Sequence, residues 1–321
     1  MNHPTTGLFV ISLDFELHWG VWDVTTIAKY GANIVGVKQA IPAMLSAFEQ
    51  YGVKASFATV GFLFAQNKAN LLQNIPSVRP TYSNHNFDVY KNEIPTIGEN
   101  EITDPYHFGY TLLQQIKNDG HEVGTHTFSH YYCLEDGQTE AQFDADLIAA
   151  VAIAKKEGII LKSIVFPRNQ INPKYLPILK ANGITHYRGN PTGWIYKPRK
   201  HFSEPILVRL CRLLDAYTAL FGYNVFELPT AVDGLTNVPG SRFLKPYSPR
   251  LSALEKLKIN RIKNEMTQAA KNGKLYHLWW HPHNFGANLE DNIKGLKVIL
   301  EHFKNLQIKY KFDNKIMQDL N

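Results

Sequence analysis

Compact apolar runs alternate along this chain with segments whose apolar positions recur at helical spacing. The stretch Gly7 to Asp14 (GLFVISLD) is short and rich in β-branched residues, which predicts a buried strand. Residues 36–51 then place Val37, Ile41, Met44, Leu45 and Phe48 on one helical face, and Gly52 follows as a stop. Val53 to Val60 reads as a second strand and 62–72 as a helix. Further helices are predicted at 105–118, 140–157, 173–182, 253–272 and 288–305. Strands are predicted after Gly120, at 162–166, at 184–188 and at 274–280. About seven such alternations predict the α/β class, with a distorted parallel (β/α) barrel formed by one domain over 1–321.

Two stretches interrupt the alternation. Residues 73–104 scatter Pro, Asn and Ser without periodicity and read as an insertion loop. Residues 195–263 form a basic insertion or lid, with twelve Lys or Arg against five acids. Within it Ile206, Leu207, Leu210, Leu213, Leu214, Tyr217, Leu220 and Phe221 make an amphipathic segment interleaved with Arg209 and Arg212. Such a segment is either a core helix with a solvated basic face or a lid turned toward an anionic substrate or an anionic lipid surface.

Composition narrows the function classes. Charged residues sum to +6 over 321 residues, too dilute to argue for a nucleic-acid partner. Two cysteines, Cys133 and Cys211, are too few for a disulfide framework or a thiolate zinc cluster. The first residues lack a basic start, their apolar run ends at Asp14, and the longest run of small apolar residues, 147–154, is far short of a membrane span. The chain is expected to be cytoplasmic, touching a membrane only peripherally.

Four polar clusters follow apolar strands. His126 and His130 in HTFSH stand at i and i+4, a spacing that on a helical turn lets both imidazoles reach one cation; two core histidines would share it. Asp14 and Glu16 lie on one face at the end of the first strand, where α/β barrels place their active sites. Their mutual repulsion is relieved by a divalent cation. His281 and His283 share a face with Trp279 after the last strand, in a setting suited to general-acid work. Arg168 follows the strand at 162–166 and can hold a carboxylate with two hydrogen bonds. Two histidines and a carboxylate around an open position form the ligand set of a hydrolytic metal centre.

These motifs, SLDFE (12–16), HTFSH (126–130), FPRNQ (166–170) and HLWWHPHN (277–284), resemble in kind and order those of the polysaccharide deacetylase family, the NodB-type or family-four carbohydrate esterases. The likeness is nearest to the branch associated with bacterial surface polysaccharides such as lipopolysaccharide or capsule. It implies a distorted barrel of fewer than eight units and metal-dependent hydrolysis of an N-acyl, chiefly N-acetyl, amide on a sugar. By position, Asp14 resembles the catalytic base, Glu16, His126 and His130 the metal ligands, Arg168 the residue that orients Asp14, and His281 the general acid. One divalent metal is implied, zinc foremost, with cobalt, nickel, manganese and iron able to use the same ligands. The backbone N–H of Tyr131 is a candidate oxyanion donor, and Trp19, Trp22, Trp194, Trp279 and Trp280 are candidate sugar surfaces, beside His283, Arg209 and Arg212 as further substrate contacts. The basic region suggests an amino sugar carried on a nucleotide or a polyprenyl phosphate. A deformylase or other metal amidohydrolase, and a catalytically silent glycan-binding member, are the competing functions. Here Phe15 separates the two acids, Pro167 precedes Arg168, and no aspartate in YRGNPTGW (187–194) stands where the family tunes its late histidine.

Overall fold

The computed structural model describes residues 6–200 and 203–320. Ten strands form one sheet: β1 (Leu8–Phe15), β2 (Ser56–Thr59), β3 (Glu122–Thr125), β4 (Ser163–Ile164), β5 (His186–Tyr187), β6 (Ala231–Val232), β7 (Leu235–Asn237), β8 (Arg242–Phe243), β9 (Leu275–Trp280) and β10 (Asp313–Lys315). Their order is β6-β7-β5-β4-β3-β2-β1-β9-β8, with β10 also on β1. Of these pairings, the β6–β7 hairpin alone is antiparallel. The central strand is β1, whose residues Phe9 to Phe15 are all buried, with Ser12 and Asp14 as its buried polar positions. The helices Val37–Gln50, Glu255–Lys271 and Leu289–Tyr310 supply much of the outer layer and pack on one another and on β1 and β9.

A single segment turns the sheet into a barrel. The N–H groups of Thr236, Val238 and Gly240 donate to the carbonyls of Thr185, Tyr187 and Gly189 along β5. A few residues on, Ser241 and Leu244 donate to His277 and Trp279 of β9. Residues 235–244 therefore bridge both edges of the sheet, with Pro239 and Gly240 at the bend. The result is the distorted barrel of about seven staves that the alternation predicted.

His277 sits at this closure. It is fully buried, with Nε2 2.8 Å from the Ser12 hydroxyl on β1 and Nδ1 3.2 Å from the Val238 carbonyl. A neutral ring satisfies both, donating from Nδ1 and accepting from Ser12.

The structure revises two local expectations. Residues 126–130 are not helical: Thr127 and His130 have φ of 63° and 57°, and the loop is held instead by the Asp146 carboxylate, which accepts from the N–H groups of Phe128 and Ser129. The basic region is not one lid. Its residues 235–244 close the barrel, and its helix Glu255–Lys271 packs against the sheet, because Arg242 and Arg261 are drawn into buried ion pairs with Asp215 and Glu265. The 73–104 stretch contains the short helical turns His85–Phe87, Val89–Asn92 and Ile94–Thr96.

Burial, with Arg188 nearby, drives the His277 pKa down from 6.5 to about 3. A depressed imidazole charges more readily in the unfolded chain, so stability is present above pH 6.5 and lost as pH falls toward 3. His277→Gln keeps both hydrogen bonds without titrating. Its unfolding free energy, measured by urea melts, should fall less steeply between pH 6.5 and 4, by about 1.4 kcal/mol per pH unit; parallel curves would contradict the assignment.

Candidate active site

The C-terminal ends of the parallel strands converge on one buried cluster built around two carboxylates of β1 and its extension. Asp14 is 2% and Glu16 3% exposed. Asp14 is clamped by Arg188, which follows β5: one guanidinium nitrogen lies 2.6 Å from Oδ1 and the other 2.8 Å from Oδ2. The same guanidinium donates to Ser12 and Asn169 and lies 4.1 Å from the centroid of the Trp279 ring. Burial would raise the Asp14 carboxyl, but Arg188, His126 and His281 outweigh it and hold it below its usual value.

Glu16 is ringed by imidazoles from two directions. Its Oε2 faces Nε2 of His126 at 3.3 Å and of His130 at 3.4 Å. Its Oε1 faces Nε2 of His283 at 3.0 Å and of His281 at 3.8 Å. Against a burial effect that would raise it, these histidines keep the Glu16 carboxyl well below the ordinary range, His281 contributing most. The longer glutamate side chain curls over the turn Leu17–Gly20, and Gly20 leaves the room for it. A Cβ at Gly20 would fall 1.9 Å from the Glu16 carboxyl carbon.

The two histidine pairs differ in what they offer. His283 takes the Tyr30 hydroxyl at Nδ1 (2.9 Å), so its Nε2–H donates to Glu16 and orients it. His126 donates Nδ1–H to the Val165 carbonyl at 2.8 Å, which fixes the ring with Nε2 toward Glu16. His130 is buried, burial depresses its pKa, and its Nδ1 has no hydrogen-bond partner. Glu16, His126 and His130 thus bring three ligand atoms within 4.8 Å of one another. That donor set fits a divalent cation, and the Val165 carbonyl is the kind of outer contact that fixes a ligating ring.

The backbone around the cluster is strained. Leu17, Thr127, His130, Arg168 and Asn169 all occupy the left-handed region, at φ between 49° and 63°. His281 is the most accessible member, 3.6 Å from Asp14 Oδ2, and packs against Phe243 and Trp279, which line a neighbouring cleft of about 670 Å³ together with Asn169 and Arg168. That volume is within the range of small-molecule sites.

Asp14, Glu16, His126, His130 and His281 therefore meet, and four other expectations change. Arg168 does not reach Asp14; its turn carries it to Asp23, at 2.5 Å, and over the Tyr132 ring. The residue that pairs with Asp14 is Arg188. Its signal was an arginine at the end of the predicted strand 184–188, a weaker form of the signal that singled out Arg168. Tyr131 is buried and its N–H donates to Thr127 Oγ1, so it is not free for an oxyanion. Trp19 is a core residue, with its indole N–H on the His107 carbonyl and its ring against Phe62; Trp280 is likewise buried. His283 supports Glu16 rather than lining the cleft. Trp279, Arg209 and Arg212 line the cleft, and Trp194 is exposed nearby, with its carbonyl bonded to Arg199 of the cleft wall.

The family model for polysaccharide deacetylase matches residues 31–187, which carry His126 and His130, while Asp14, Glu16, Arg188 and His281 lie outside the match. No curated protein matches the chain in sequence. Among solved structures, a chain from Mycobacterium smegmatis named as a polysaccharide deacetylase shares a TM-score of 0.57 at 12% identity, over 94% of this chain and 86% of its own. Another so named, from Pseudomonas aeruginosa PAO1, gives 0.54 at 10% identity, over 93% and 85%. Puue allantoinase gives 0.53 at 10% identity, over 93% and 84%. At these identities the likeness is one of fold.

Two substitutions test the geometry. Arg188→Met strands a buried carboxylate and should lower the unfolding free energy by about 3–5 kcal/mol; a loss below about 1 kcal/mol in urea melts would refute the pairing. In Gly20→Ala the new methyl displaces the Glu16 carboxylate from its histidines. The protein should melt at a lower temperature and bind zinc about 10–100-fold more weakly by isothermal titration, and wild-type zinc affinity would rule out Glu16 as a ligand.

Proposed function

We propose that this chain, whose residues 31–187 match the polysaccharide deacetylase family model, is a member of that family and hydrolyses an N-acyl group, acetyl foremost, from an amino sugar with the help of one divalent metal. Membership implies carbohydrate deacetylation; the metal dependence rests on the Glu16, His126 and His130 donor set. That single arrangement carries the reading, because a binding module has no use for a buried carboxylate and two buried imidazole nitrogens gathered within ligand distance of one another.

A divalent cation held by these three residues supplies a Lewis acid that polarises the acyl oxygen and acidifies a water. Asp14, kept ionised by Arg188, takes the proton of the attacking water. His281 gives a proton to the departing nitrogen, and its Nε2, 3.6 Å from Asp14 Oδ2, is set to act on the same substrate atoms. His283 and Tyr30 hold Glu16 so that it does not swing toward His281. Trp279 and Phe243 form one wall beside His281 and suit the apolar face of a sugar ring.

Elemental analysis of protein purified without a histidine tag should find about one divalent ion per chain in the wild type and under a tenth of that in His126→Ala. Asp14→Asn and His281→Gln should keep the metal, yet lose at least ~100-fold in kcat for acetate release from an N-acetylglucosamine oligomer. A wild-type chain that stays metal-free after dialysis against zinc would favour the silent glycan-binding member instead.

A further inference from the structure

The cleft beside His281 carries far more positive charge than its surroundings neutralise. Eight of its lining residues are Lys or Arg, and one, Glu204, is acidic. Some of these cations are paired: Arg168 with Asp23, Lys200 with Asp136, and Arg242 with Asp215 and Glu265. Arg209 and Arg212 share the single carboxylate of Glu204. Among the described residues, no acid lies within ion-pair distance of Lys197, Arg199 or Lys245. Lys245 is also depressed by burial and by the nearby charges of Arg212 and Lys258. Cations crowded into a cleft that holds one acid favour an anionic occupant.

The outer lip of this cleft is apolar. The helix Ile206–Asp215 sets Arg212 and Leu213 on the cleft wall and exposes Ile206 (73%), Leu207 (64%), Leu210 (51%) and Leu214 (51%) on one continuous face. Leu220 and Trp194 extend it, with Trp194 packed edge-on to Phe221. A continuous exposed stripe of this kind marks an interaction surface, unlike scattered single residues. Bordered by Arg209 and Arg212, it has the composition of a helix that lies in a lipid interface, with a tryptophan at headgroup depth. A protein partner or a second copy of the chain would cover the leucines but leave the surplus charge unexplained. An anionic bilayer answers both.

We propose that the sugar reaches this site on a lipid phosphate: the basic cleft takes the phosphate, and the apolar face of Ile206–Asp215 rests in an anionic membrane surface. No helix among the described residues is long and apolar enough to cross a membrane, so contact is through this face. The inference rests on the deacylase reading, since it names what carries that reaction's amino sugar.

The test is co-sedimentation with vesicles of phosphatidylcholine, with and without 30 mol% phosphatidylglycerol (roughly one anionic lipid in three, enough for surface attraction). The wild type should pellet with the anionic vesicles at least tenfold more than with neutral ones. The triple variant L207S/L210S/L214S, altered only at exposed positions, should lose at least tenfold of this binding with an unchanged melting temperature. R209E/R212E should lose the preference for anionic lipid. No binding by the wild type, or full binding by the leucine variant, overturns the proposal. Binding of inorganic pyrophosphate without vesicle binding also overturns it, by assigning the phosphate to a soluble carrier. Loss of a dimer in the leucine variant, with no vesicle binding by either protein, would assign the face to self-association. Sedimentation reads no turnover: a chain that binds vesicles but releases no acetate fails the deacylase reading alone, and one that deacylates but ignores vesicles fails this inference alone.

Discussion

Burying Asp14 and Glu16 two residues apart at the mouth of a barrel sets the terms for everything around them. Each enclosed carboxylate costs several kcal/mol unless a countercharge or directed hydrogen bonds meet it, and their proximity adds repulsion. The fold answers the two differently. Asp14 receives a fixed two-pronged arginine, which leaves it ionised and immobile. Glu16 receives imidazoles, which can lose protons and accept a metal in their place. One carboxylate is thereby committed to proton work and its neighbour to ligation, although sequence spacing alone treats them as equals.

The first of these solutions reaches into the architecture. Arg188 is itself buried and needs Ser12, Asn169 and the Trp279 ring to be tolerated. Ser12 in turn meets His277, and His277 holds the Val238 carbonyl of the segment that closes the barrel. The charge on Asp14 and the closure of the sheet are therefore linked through one line of hydrogen bonds. The second solution depends on backbone strain, because the left-handed residues of the His126–His130 loop are held there by Asp146 and by Thr127 Oγ1. Local strain of this kind persists only where surrounding contacts over-determine it.

Much of this was legible in the sequence because it follows from periodicity. β1, β2 and β9 announce themselves as apolar runs, β3 follows Gly120, and the acids and histidines at the ends of these strands fall at the mouth by the rule of parallel strands. The less legible parts have identifiable causes. β7 and β8 are three and two residues long and are separated by Pro239 and Gly240, so the segment that closes the barrel shows no strand pattern. Arg168 and Arg188 follow successive strands in like contexts, and only the left-handed turn at Arg168 and Asn169 sends the first to Asp23 and leaves Asp14 to the second. The spacing of His126 and His130 suggested a helix, yet a tight loop brings the rings together as well. Trp19 read as a sugar surface because a tryptophan beside a catalytic motif does not reveal whether the chain turns it in or out.

The same reasoning bears on the helix Ile206–Asp215. An amphipathic helix in a globular protein usually buries its leucines and shows water its charges. Here Val208 and Asp215 are the buried positions, and most of the leucines face out. The helix is secured at its C-terminal end by charge: Asp215 accepts from Arg242, Arg261 and the Tyr196 hydroxyl, within a network completed by Glu265. Anchoring by a buried ionic network is energetically inferior to packing four leucines, since desolvation offsets most of its Coulomb gain. A sequence folding only for its own stability would turn this helix over. The orientation it adopts keeps the arginines on the cleft and the leucines outside, an arrangement that stability alone does not favour and that a ligand with an anionic head and an apolar tail does.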